Sequence, residues 1–149
     1  MAHAQQQVLN ALQALLAGGG TVAGTRVFLD RVDPLQPEEL PAILIEEDGD
    51  GESSEPHTIS SLDARELGVQ VSCVLAHSTT AAADARAFGL AVEKLIAPST
   101  ALAAIAKRGV RITGSRQDNS GDGDRLLAAR VQAWRFAYLV DPATPDVIY

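Results

Sequence analysis

The sequence predicts an α+β fold, a two-layer sandwich with two helices packed on one face of a mostly antiparallel sheet of about five strands. Three observations lead there. Two segments repeat apolar residues at helical spacing, the run Leu67 to Leu75 alternates with period two, and the joins between strands are rich in turn residues and suit antiparallel neighbours. With 149 residues, 46% of them hydrophobic, the chain can fill one core and has no room for a second domain.

Between Ala4 and Ala17, Val8, Leu12 and Leu15, flanked by Leu9 and Leu16, make one apolar stripe among glutamines. Gly18, Gly19 and Gly20 end that first helix, because glycine alone enters the left-handed cap cheaply. Thr25 to Arg31 reads as a short strand stopped by Asp33-Pro34 and Pro37. Ala42 to Glu46, with Ile43, Leu44 and Ile45 in succession, reads as an interior strand with Pro41 at its edge. Residues 46–58 carry Glu46, Glu47, Asp48, Asp50, Glu52 and Glu55 with no base, so a long solvated acidic loop is expected there.

Leu67, Val69, Val71, Cys73 and Leu75 then share one face of a strand, which makes Cys73 a core residue. Ser78, Thr79 and Thr80 offer a cap for a second helix carrying Phe88, Val92 and Leu95, ended at Pro98. A short helical turn follows from Ser99 to Lys107, and Val110 to Thr113 opens another strand. Asn119 to Asp124 make a loop returning into a last strand, Leu126 to Val140, after which residues 141–149 form an extended tail. In that last strand Val131, Ala133 and Ala137 fall on one face and Trp134, Phe136 and Tyr138 on the other. Each large aromatic gains about 1.5 to 3 kcal/mol on burial. Either a neighbouring subunit covers the second face, or a β-bulge restores a single apolar one.

The formal net charge is −7, and of twelve basic residues only Lys94 and Lys107 are lysines, with no basic run. That argues against a protein that reads nucleic-acid sequence. The single Cys73 allows no internal disulfide, and the N-terminal stretch lacks the basic region of a signal peptide and the length of a membrane span. A protein made in the cytoplasm is expected.

Catalysis finds no constellation. Gly18 to Gly20 are not followed by Gly-Lys-Ser/Thr, so a phosphate loop is excluded. His3, His57 and His77 are far apart, and Cys73 on an apolar strand face is an inert thiol. The runs Asp48 to Glu52 and Asp122 to Asp124 could approach a cation, but neither has the ligand order of a calcium-binding loop. No enzyme, no metal and no cofactor is the expectation.

The stretch Arg26-Val27-Phe28, Arg31-Val32, Pro34-Leu35 and Glu39 to Ile45 resembles the N-terminal signature of phage tail terminator proteins, the minor tail protein U family of lambda-like, long-tailed phages. The likeness runs more loosely through Leu67 to Leu75, the second helix and Tyr138; Trp134 and the tail 141–149 have no counterpart in it. What the resemblance implies is a structural virion protein that forms a ring, hexameric in that family, on the head-proximal end of the tail tube. Such a ring stops tube polymerisation and presents the surface for head joining. Its implied partners are further copies of itself, the tail tube protein and a head-tail connector, with DNA passing through without sequence-specific binding and no membrane involved. The virion tail, and the host cytoplasm during assembly, would be its location.

Candidate contact residues, toward the next subunit or the tube, are Glu47, Asp48, Asp50 and Glu52, the bases Arg111, Arg116 and Arg125, and Trp134, Phe136 and Tyr138. The expectation is that one subunit's acids meet the next one's arginines, or that the loop meets the tube. The competing readings are another head-to-tail connector or tail-completion protein, and a small monomeric ligand-binding α+β domain with a concave apolar pocket.

Overall fold

The computed structural model describes residues 2–122 and 125–149, the side chains of 120–126 apart. Helix α1 (Ala4–Ala17) is followed by strand β1 (Val27–Leu29), a single 3-10 turn at Pro37–Glu39, and the long strands β2 (Ala42–Pro56) and β3 (Asp63–Ala76). Helices α2 (Ala81–Ile96) and α3 (Thr100–Ile105) come next, then β4 (Gly109–Asp122), β5 (Arg125–Asp141) and β6 (Thr144–Ile148). The fold is α+β: the strands form one sheet in the order β1-β2-β3-β5-β4, with β6 added to the end of β5. Every pairing is antiparallel except β1 with β2.

The helices share one core with the sheet. Val8, Leu12 and Leu16 of α1, Phe88, Val92 and Ile96 of α2 and Leu102 of α3 pack onto Ile43, Ile45, Leu67, Val69, Val71 and Cys73. Trp134, Phe136 and Tyr138 complete that layer, no more than 1% exposed. This overturns the expectation that they contact a neighbour. Their face of β5 is the helix-covered one, with no irregularity in the β3–β5 register, so neither a second subunit nor a bulge is needed to bury them. Gln132, also enclosed, reconciles that face with its polar atoms: Trp134 Nε1 donates to Gln132 Oε1 at 3.0 Å, and Gln132 Nε2 donates to the Gly89 carbonyl at 2.9 Å. Gly89 is where α2 comes close enough for that bond, since a Cβ there would press on Gln132 and Arg130.

The opposite face of β5 is covered at one end only. Val74, Ala129 and Val131 are buried beneath Leu35, Leu40 and Leu44, the first two from the segment joining β1 to β2. Beyond it the helix-free face mixes small apolar residues such as Ala133 and Ala137 with the charged Glu66 and Arg135.

Two expected irregular segments are strands. Residues 46–58 do not form a loop: β2 continues to Pro56, and Glu52 to Pro56 pair with Leu67 to Asp63 beyond an irregularity between Glu47 and Glu52. Composition suggested solvation, but pairing with β3 at the edge of the sheet satisfies the backbone while leaving side chains in water, and acids on one strand find arginines on its neighbours. The tail 141–149 likewise folds back as β6, with Val140 opposite Ile148 and Gln7 Nε2 donating to the Asp146 carbonyl at 2.7 Å. The anticipated loop Asn119 to Asp124 is shorter than read, because β4 extends to Asp122; Gly123 and Asp124 lie outside the described residues.

Candidate functional site

The polar part of the helix-free face is built around Arg135, which stands on β5 between Trp134 and Phe136 and therefore points away from the core. Its guanidinium reaches Asp48 in a hydrogen-bonded ion pair, Asp50 at 3.3 Å and Glu66 at 3.8 Å. The path to Asp48 crosses β3 over Gly68, the residue opposite Arg135, and a Cβ on Gly68 would overlap both the guanidinium and the Asp48 carboxylate. A glycine that weakens a strand interior is thus explained by what passes over it. The irregularity between Glu47 and Glu52 brings Asp48 over the sheet; its Oδ1 also accepts from the Asp50 amide at 3.0 Å.

Glu52 lies on the other face. It accepts a short hydrogen bond from the Tyr138 hydroxyl and is 3.3 Å from Arg65, whose side chain is 15% exposed. Burial, and then the carboxylate of Glu52, push the Tyr138 hydroxyl far above its ordinary pKa, so it stays a donor. Asp48 and Glu52 therefore face opposite sides of the sheet and do not converge on one cation, as the Asp48 to Glu52 run allowed.

Of the expected contact residues, Glu47 and Asp50 are exposed, while Asp48 and Glu52 are held by Arg135 and Arg65 within the same chain. The exposed Arg111 of β4 is 3.4 Å from the half-buried Glu66 of β3, and Arg116 is 3.6 Å from Asp118 in an exposed pair within β4. The Arg125 side chain lies outside the described residues. Sequence reading missed Arg65, Arg135 and Gly68. The signal for Arg135 was present: a base flanked by Trp134 and Phe136 in an alternating strand must face outward, where the acids are.

A second feature is an apolar cleft of ≈ 540 Å³ between α2 and the segment joining β1 to β2, lined by Val22, Leu40, Pro41, Leu75 and Phe88. Asp84, the one carboxylate among the described residues of its wall, already accepts from Thr80 Oγ1 at 2.8 Å. A specific small-molecule site needs several polar groups aimed at one ligand, and this cleft does not bring them together. The Cys73 thiol is pushed up to about 12 by burial, which leaves it without nucleophilic character.

No protein-family model matches the chain, and no curated protein matches it. Among solved structures, a chain described as belonging to the virion of a native gene transfer agent particle is similar, at 17% identity and a TM-score of 0.45, over 93% of this chain and 92% of that one.

Proposed function

We propose that the protein is a structural virion component, a tail terminator that closes as a ring on the head-proximal end of the tail tube, halts tube growth and offers the surface to which the head joins. The observation that carries this reading is that the signature from Arg26 to Ile45 folds as one interconnected unit. Arg26 Nε donates to the Pro41 carbonyl at 2.9 Å, and Val27 to Leu29 lie parallel to Ile43 to Ile45. Arg31 stacks 4.5 Å over the Phe28 ring and donates to Glu39 at 2.7 Å, while Leu35 and Leu40 cover the far side of the sheet. The residues that resemble the family's signature are thus the ones that hold this corner together.

Charge is consistent with a channel wall. The helix-free face places Glu46, Asp48, Asp50 and Glu66 against Arg111 and Arg135, a net acidic surface past which DNA moves without being gripped. Purified protein mixed with the tail tube protein and imaged by electron microscopy tests the reading. Tubes of limited length closed at one end are expected; unchanged tube growth would refute termination, and binding to a head portal without effect on tubes would favour a connector instead.

A further inference from the structure

Resting on the ring reading, we propose that neighbouring copies of this chain join edge to edge, the outer edge of β4 in one copy pairing with the acidic outer edge of β2 in the next. The sheet has two open sides. On one, β1 covers Ile43 to Ile45, and among the described residues β2 has no partner strand on that side from Glu46 onward. On the other, β4 is the terminal strand over Gly109–Asp122. A terminal strand of that length presents a row of amide and carbonyl groups to any chain that can reach it, and native proteins rarely leave one unmanaged.

Charge selects the partner. The available β2 edge carries the exposed Glu46, Glu47 and Glu55, whereas Arg111 and Arg116 stand on β4, with Asp118 beside Arg116, and Lys107 and Arg108 directly precede it, all exposed. Two β2 edges would set acid against acid; β2 against β4 sets acid against base. The levels agree as well. Glu46 lies opposite Gln70, which lies opposite Ala133, which lies opposite Gly114; Glu47 leads by the same route to Ile112. The open part of β2 is therefore level with the Arg111 end of β4. Asp48 is turned away over the sheet toward Arg135, which leaves Glu46–Glu47 and Glu52–Pro56 as the segments available.

Strand sense completes the argument. β2, β3, β5 and β4 alternate in direction, so β4 runs opposite to β2. Copies related by rotation about an axis along the strands keep one sense, and β4 of one then meets β2 of the next antiparallel, continuing the alternation. Such a contact uses two different surfaces, so it is the head-to-tail kind that continues past a dimer, and it forms a ring where the rotation between copies closes.

Two variants, each with one added cysteine, test this: Glu46→Cys on β2 and Ser115→Cys on β4, treated with a short bis-maleimide at high protein concentration and on tail tubes. Cys73 is 0% exposed and stays silent. A cross-linked dimer is expected from the mixture of the two variants and from neither alone, with loss of that band when Arg111→Glu is added to the Ser115→Cys chain. Dimers from either variant alone would overturn the proposal. So would multimers seen by sedimentation that give no cross-link in the mixture, a result that leaves the ring reading standing. A chain that stays monomeric both in solution and on tubes would defeat both.

Discussion

Replacing Gly68 by alanine probes the Asp48–Arg135 pair without altering either charge. In an ordinary strand interior alanine is more stable than glycine by about 0.5–1 kcal/mol, because glycine loses more backbone freedom on folding. Here the new methyl group falls on the Arg135 guanidinium and the Asp48 carboxylate. Both are the ends of mobile side chains, so the overlap is relieved by swinging them out, and what is lost is the ion pair. With side chains 20% and 14% exposed the pair is partly screened, which places it at the lower end of the roughly 1.5–3 kcal/mol of a charged hydrogen bond. Setting that loss against alanine's advantage, Gly68→Ala should destabilise by about 1 kcal/mol, or a fall in Tm of roughly 2–4 °C for a chain of this size. In an Asp48→Ala background the same change should be neutral or stabilising, giving a coupling of about 1–2 kcal/mol in a denaturant double-mutant cycle. Equal stabilisation by Gly68→Ala in both backgrounds would refute the account of why a glycine stands there.

Trp134→Phe keeps an aromatic ring in the core but removes the donor to Gln132 Oε1, whose residue is 1% exposed; an unpaired buried acceptor costs about 1–3 kcal/mol, read as a lower urea midpoint, and an unchanged midpoint would contradict it. Glu39 is held at about 2 by its hydrogen bonds to Arg31 and then to the Gln36 amide, below its ordinary 4.5. A depressed carboxyl contributes stability above its unfolded pKa and loses it as pH falls through the folded one. The Tm difference between wild type and Glu39→Gln should therefore be steady above about 4.5 and close on approaching about 2; a difference unchanged at the acid end would exclude the pairing.

The core was legible because its signals are local. Helical spacing in Ala4–Ala17 and alternation in Leu67 to Leu75 gave elements the structure contains, the latter within a longer strand. The acidic hairpin was not legible, because its stability depends on residues outside the run of acids, one of them far along the chain. Asp48 is stabilised by Arg135 and Glu52 by Arg65, and a run of acids read by itself carries no sign of either base. The aromatic strand misled for a related reason. Trp134, Phe136 and Tyr138 are large and Val131, Ala133 and Ala137 small, so both faces looked apolar, but only the large set lies under helices. Of the small set only Val131 packs under Leu35 and Leu40, while Ala133 and Ala137 flank Arg135 and its acids. Part of the candidate contact set, Glu47, Asp50, Arg111 and Arg116, lies on the surface where a partner could reach it; Trp134, Phe136 and Tyr138 do not.

The central claim, that this protein sits at the end of a tail tube, is tested most directly by locating it. A gold-maleimide label on Thr79→Cys, in the exposed turn before α2, can be imaged on tubes assembled with the tail tube protein. Label confined to one end of each tube, on tubes that have stopped growing, is the predicted result. Label along the tube wall, or none on tubes that continue to lengthen, would contradict it.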